Sequence, residues 1–220
     1  MKYQVVLWDL DGTLTDPKEG ITKSVQYALE KLNAPVPTQD ELEWVIGPAL
    51  SKSFEILLKS TDETLVSKAL EFYRERYREK GMYENKIYPG IPELLQDLKE
   101  AGCLNVLATS KPKPFAEEIL RHFNLSRHFH LIMGSNLNGE LVDKGDLIQE
   151  ILRRLPQDIS WKQTVMIGDR RFDIEGARRN GLDVISVAYG YGTMHELEEN
   201  KPDYIAKGLT ELRTILFEDK

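Results

Sequence analysis

Between Ile91 and Val187 short apolar runs alternate with longer amphipathic stretches, and this alternation narrows the possible folds more than any other feature of the chain. The spacing predicts helices over Ile91–Ala101, Pro114–Phe123, Lys144–Leu155 and Ile174–Asn180, and strands over Leu104–Ala108, Leu131–Met133, Thr164–Ile167 and Val184–Val187. Gly102 closes the first of these helices, and Pro114 fits the first turn of the second, where a missing N–H costs nothing. Strands joined through helices pair in parallel by right-handed crossovers, so the expected class is α/β, with helices on both faces of the sheet. Ligands of such sheets bind beyond the carboxyl ends of the strands.

The alternation is interrupted once. From Asp16 to Gly81 the pattern is helical throughout, with Ile21, Val25, Ala28, Leu29 and Leu32 on one face of a first helix that stops near Asn33, Pro35 and Pro37. Thr38 and Glu41 have capping-box spacing and predict a helix through Leu42, Val45 and Ile46, ending at Gly47 and Pro48. Further helices are expected over Leu50–Leu58 and Asp62–Lys80. The economical organisation is an all-helical insertion, residues 16–85, in an α/β core made of residues 1–15 and 86–220, with Pro89 and Gly90 marking the return.

The insertion departs directly after the run Val5, Val6, Leu7, Trp8, Asp9, Leu10, Asp11, Gly12, Thr13, Leu14. An apolar strand here ends in two carboxylates one residue apart, which an extended backbone turns to the same side. Such a pair needs a shared proton or a cation, and oxygen ligands of this kind suit Mg²⁺. Gly12 permits the sharp turn by which backbone amides approach an anion. Asp-Gly alone is a common turn pair, so the partners must come from elsewhere in the chain.

The other strand exits supply them. Leu104–Ala108 runs into Thr109, Ser110 and Lys111, and Thr164–Ile167 into Gly168 and Asp169, with Asp173 four residues on, able to share one side of a first helical turn with Asp169. Lys144 opens a helix, an end where a cation gains nothing from the macrodipole.

In this order the residues resemble the four motifs of the haloacid dehalogenase superfamily: Asp9 and Asp11 the first, Thr109 the second, Lys144 the third, Asp169 and Asp173 the fourth. The resemblance covers nearly the whole chain, and implies a Rossmann-like α/β core with a helical cap inserted after the first motif. Glu19, Gly20 and Ile21, the Ile46–Gly47–Pro48 turn, the run from Ala108 to Pro112 and the Gly190–Tyr191–Gly192 loop look like the branch of phosphoglycolate phosphatases and related 5′-nucleotidase-like phosphatases; Ala49 stands where that cap turn commonly has a second proline. The resemblance implies a phosphomonoesterase for a small phosphorylated metabolite. Asp9 is its nucleophile and Asp11 its general acid and base. Mg²⁺ is held by Asp9, the Asp11 backbone carbonyl, Asp169 and Asp173, and the phosphoryl group by Asp11, Gly12, Thr109, Ser110 and Lys144. Opening and closing of the cap beside Asp9 is expected to exclude water during transfer.

Three other chemistries fit parts of this pattern. A sugar-phosphate mutase returns the phosphoryl group to its substrate; a dehalogenase uses the aspartate on carbon, for which the acidic metal ligands are superfluous; a receiver-like signalling module holds a phosphorylated aspartate as a lasting state, without Asp11 or a cap. Composition narrows the partners. Lys and Arg number 29 against 36 Asp and Glu, a net charge of −7, which argues against nucleic acid and acidic membranes. Cys103 is the single cysteine, so no intrachain disulfide forms, and its expected role is to fill space. His122, His128, His130 and His195 are dispersed and form no persuasive metal set. No run is apolar enough to span a membrane and the chain enters its first strand without a leader, so a cytoplasmic location is expected.

Overall fold

The computed structural model describes residues 2–156, 159 and 161–218. The chain divides into two compact units, one of Met1–Asp16 with Ile87–Lys220 and the other of Pro17–Lys86. Two short strands, β2 (Thr15–Asp16) and β3 (Lys86–Ile87), pair where the chain leaves and rejoins the first unit.

The first unit is a six-stranded sheet: β1 (Val5–Trp8), β4 (Leu104–Pro112), β5 (Phe129–Ser135), β6 (Thr164–Gly168), β7 (Asp183–Val187) and β8 (Tyr204–Ala206), in the order β5-β4-β1-β6-β7-β8, every pairing parallel. Its helices are α4 (Ile91–Glu100), α5 (Lys113–His122), α6 (Lys144–Arg154), α7 (Arg171–Arg179), α8 (Met194–Asn200) and α9 (Leu209–Phe217). The α/β class is therefore as expected, and β1 is the switch point from which the strand order departs in both directions.

Period-two alternation along β1 aims the site. Val5 and Leu7 lie in the core cluster with Val106, Ala108 and Met166 from the adjoining strands, Leu147, Ile148 and Ile151 from α6, and Ile174 and Ala177 from α7. On the same face the next residue is Asp9, so burying Val5 and Leu7 beneath α6 and α7 directs the carboxylate toward the amino-terminal ends of those helices. On the opposite face Trp8 is fully buried and its indole N–H donates to Asn105 Oδ1 at 3.0 Å. Cys103 is buried, and burial pushes its thiol up to about 12.

The second unit contains α1 (Lys18–Lys31), α2 (Leu50–Leu58) and α3 (Glu63–Arg76), followed by a wider turn of helix over Tyr77–Gly81. Gly20 on α1 approaches Gly81 so closely that a Cβ would fall 1.9 Å from the Gly81 carbonyl oxygen. The regular helix expected through Lys80 ends at Arg76. The helix expected after Thr38 does not form. The capping pair does, with Glu41 Oε2 accepting the Thr38 N–H at 2.8 Å and Thr38 Oγ1 the Glu41 N–H at 3.3 Å, but only a single 3₁₀ turn, Glu43–Val45, follows. Gly47, at φ +107°, and Pro48 turn the chain before a second turn can close, while Leu42, Val45 and Ile46 are still buried. Among the described residues no helix is long and apolar enough to cross a membrane.

Candidate active site

Four segments far apart in sequence deliver charged side chains to the carboxyl end of β1. Lys144, the first residue of α6 and 5% exposed, places Nζ 2.8 Å from Asp9 Oδ1, 2.8 Å from Asp173 Oδ1 and 2.8 Å from the Ala108 carbonyl oxygen. Asp173 lies in the first turn of α7, and its other oxygen accepts the Arg170 N–H at 3.2 Å. Asp169, at the exit of β6, is fully buried; Oδ2 accepts the Tyr191 N–H at 2.7 Å and Oδ1 the Thr13 hydroxyl at 3.4 Å. One oxygen each of Asp9, Asp169 and Asp173 lies within 4.8 Å of the others. Asp11 is paired separately, its Oδ2 lying 2.6 Å from Lys111 Nζ.

The electrostatics follow from burial. Asp169 is held well above the ordinary carboxylate range, chiefly by desolvation and then by the charges of Asp9 and Asp173. Asp173 is pushed up to about 6 by burial, with Lys144 opposing the shift, and Asp11 is also raised by burial, with Lys111 opposing. Burial by itself would lower Lys144, yet the adjacent Asp173 and Asp9 carboxylates outweigh it and raise its pKa, so the ammonium is retained.

A divalent cation fits this arrangement. Four carboxylates, Asp9, Asp11, Asp169 and Asp173, face two ammonium groups, Lys111 and Lys144, so full ionisation leaves two negative charges. Asp169 makes no ion pair among the described residues, although it is the most deeply buried of the four. Oxygen-only donors of this kind suit a hard cation.

Of the expected site residues, Asp9, Lys144, Asp169 and Asp173 converge directly. Thr109, 2% exposed, accepts the Lys111 N–H on Oγ1 at 3.2 Å, leaving its hydroxyl proton to donate elsewhere. Two placements differ from the expectation. The Ser110 hydroxyl donates to the Val142 carbonyl at 2.9 Å, so its proton is not aimed at an anion. The Gly12 amide donates to the Thr15 carbonyl at 2.8 Å, so this residue acts through its shape: at φ +84°, a Cβ there would lie 2.1 Å from Asp169 Oδ2. Gly190 closes the other side, where a Cβ would fall 2.3 Å from that of Asp169. Gly12→Ala is accordingly expected to cost about 1–3 kcal/mol through backbone strain and to displace Asp169. Thermal melts with and without a divalent cation check it; an unchanged melt and an unchanged cation response would show that the loop absorbs the methyl group.

Sequence reading gave no role to Lys111, Thr13 or Asp16. Asp16 accepts the Tyr191 hydroxyl, and the Tyr189 hydroxyl donates to the Thr13 carbonyl at 3.0 Å, which ties the loop after β7 to the segment after β1. Lys111 carried the one usable signal, a basic residue at a strand exit.

The family model described as haloacid dehalogenase-like hydrolase matches residues 6–187, most of the chain and every carboxylate and lysine just placed at the site. The chain belongs to the haloacid dehalogenase-like hydrolases. This hydrolase is 44% identical to a 5′-nucleotidase of Pseudomonas aeruginosa over 98% of its own length and 96% of that protein's. It is 36% identical to the tyrosine-protein kinase PtkA of Mycobacterium tuberculosis, over 97% of its own length and 72% of the relative's. The crystal structure described as a predicted phosphatase from Clostridium acetobutylicum superposes with a TM-score of 0.93 at 43% identity, covering 99% of both chains. Family, fold and relatives together make this hydrolase an enzyme of the phosphatase class.

Proposed function

We propose that the protein is a Mg²⁺-dependent phosphomonoesterase that hydrolyses a small phosphorylated metabolite through a phosphoryl group carried on Asp9. The observation that carries this reading is the grouping of Asp9, Asp169 and Asp173 around a shared space, with Lys144 bonded to two of them. Asp9, the Asp11 backbone carbonyl, Asp169 and Asp173 would hold Mg²⁺. When bound, the ion offsets the charge that keeps an anionic nucleophile from an anionic phosphate.

The chain's own residues supply the rest. Lys144 fixes Asp9 Oδ1, so the free oxygen of Asp9 is the one that bonds to phosphorus. The Thr109 hydroxyl donates to a phosphoryl oxygen as charge redistributes there. As the ester oxygen leaves with its bonding pair, protonated Asp11 gives it a proton. Ionised Asp11 then takes a proton from the water whose oxygen bonds to phosphorus, and the phosphorus–oxygen bond to Asp9 breaks with its pair returning to the carboxylate. Splitting hydrolysis in this way replaces one difficult displacement with two easier ones.

The relative named 5′-nucleotidase supports nucleoside 5′-monophosphates as the first substrates to try, with phosphoglycolate, which the branch resemblance suggested, beside them. A phosphate-release screen with Mg²⁺ over nucleoside monophosphates, phosphoglycolate and sugar phosphates tests the reading; no release from any of them would overturn it. The relative named a tyrosine kinase favours a second reading, in which a hydroxyl acceptor replaces water. A rearranged or newly phosphorylated product without free phosphate would select it, and would also fit a mutase.

The cation can be tested independently of turnover. Because the folded-state values of Asp169 and Asp173 are raised, burying both as carboxylates costs stability at neutral pH and that cost fades as pH falls through about 6. Protons and cation therefore compete. Mg²⁺ at about one hundred times its dissociation constant is expected to stabilise by about 2.7 kcal/mol at pH 7.5, raising the melting temperature by roughly 5–10 °C. At pH 5 the rise should be much smaller. An equal rise at both values would place the cation elsewhere.

A further inference from the structure

The reaction described above leaves Lys111 without a part, yet this residue is built into the site. It stands two residues after Thr109 on β4, and its ammonium lies 2.6 Å from Asp11 Oδ2, with the two side chains only 6% and 14% exposed. Its backbone N–H donates to the Thr109 hydroxyl oxygen at 3.2 Å, so Thr109, Lys111 and Asp11 form one connected unit. The second oxygen of Asp11 is in the opposite condition: Oδ1 is buried and has no hydrogen-bond partner among the described residues. A buried polar atom left unsatisfied is costly, and in an active site it marks where a reacting group comes to sit. Lys144 cannot provide this grip, since it is engaged by Asp9, Asp173 and the Ala108 carbonyl.

We propose that Lys111 is the positioning residue for Asp11. By holding Oδ2 it fixes the rotation of the carboxyl group and presents Oδ1 as the oxygen that passes a proton to the leaving group and later takes one from water. The inference rests on the acid and base role given to Asp11 above. It assigns Lys111 no contact with the substrate.

Because Lys111 acts only through Asp11, removing it should matter only while Asp11 is functional. The test is a double-mutant cycle on the Mg²⁺-loaded enzyme with phenyl phosphate as substrate and inorganic phosphate as competitive inhibitor. Lys111→Met is expected to lower kcat by about 10²-fold, the effect of a misplaced catalytic group, with KM and the phosphate inhibition constant shifting by less than about 3-fold. Lys111→Arg should recover part of that loss, because a guanidinium can also hold Oδ2. The double variant Lys111→Met, Asp11→Asn should turn over within about 2-fold of Asp11→Asn alone, whereas independent effects would multiply. The double variant also removes both charges of the buried pair, so the comparison stands even if Lys111→Met folds poorly.

Wild-type kcat in Lys111→Met would overturn the inference, as would a double variant slower than Asp11→Asn by a further large factor. A rise of about tenfold or more in the phosphate inhibition constant would make Lys111 a phosphate ligand instead, and would overturn it equally. If Asp11→Asn itself turns over normally, the acid and base role of Asp11 fails. A slow Asp11→Asn beside a normal Lys111→Met refutes the positioning role alone.

Discussion

Asp9→Asn is expected to reduce phosphate release by at least about 10⁴-fold while the protein melts at or slightly above the wild-type temperature. The amide keeps the shape of the side chain but is a poor nucleophile. Stability should survive because Asp9 has opposed effects: it pairs with Lys144, and its charge also disfavours ionisation of Asp169 and Asp173. Lys144 retains Asp173 at 2.8 Å when Asp9 is neutral. Steady-state phosphate release and a thermal melt on the same preparation decide the matter. Substantial turnover in this variant would remove Asp9 from the nucleophile's role.

Lys144→Met should give the contrary pattern, losing activity and stability together. Two carboxylates would lose the cation that both share, in a site where Lys144 is 5% exposed. Breaking a buried pair by removing one partner costs about 3–5 kcal/mol, or roughly 10 °C in melting temperature for a chain of this size. The pairing stabilisation from Lys144 is complete below the pKa of an unfolded lysine and is lost only as pH rises through the higher folded value. Between about pH 7.5 and 9, above the value of about 6 to which Asp173 is raised, the wild-type contribution should therefore be flat. A Lys144→Met protein that melts like the wild type would mean that the buried carboxylates do not need this cation for stability. The contrast separates a charge needed for chemistry from one needed also to hold the site together.

Much of this architecture was legible in the amino-acid sequence because burial on both faces writes a strand as an apolar run. Val5–Trp8 and Thr164–Gly168 are buried throughout, and both end where their carboxylates begin. The two outermost layers left weaker marks. Strand β8 is a three-residue edge strand only partly buried, and α8 is a seven-residue polar helix, so neither offers enough periods to register. The turn at Glu43–Val45 shows the reverse failure, in which the right residues are buried and the capping pair forms but Gly47 and Pro48 leave no room for a helix. Strand β4 runs on to Pro112, beyond the apolar stretch, because its pairing with β5 continues through the polar residues of the site, with an irregularity between Thr109 and Pro112.

In the site itself, residue type and position at a strand exit were enough to point to Asp9, Asp169 and Asp173, whereas Lys144, at a helix start, was marked by the family resemblance. Spacing along the chain gave no means of telling which cation serves which carboxylate. That Lys144 takes Asp9 and Asp173, while Lys111 takes Asp11, depends on the arrangement of three neighbouring strands. The Ser110 hydroxyl, turned to Val142, and the Gly12 amide, closed on Thr15, likewise follow from loop geometry that no local pattern encodes.

The most direct test of the account is to trap the phosphorylated enzyme. The Mg²⁺-loaded protein is mixed with phenyl phosphate, quenched in acid within a single turnover, and mapped by peptide mass. The account predicts one phosphoryl group, on the peptide carrying Asp9, that disappears on continued incubation and never forms in Asp9→Asn. Steady phosphate release with no labelled protein at any quench time, or a phosphoryl group on another residue, would contradict it.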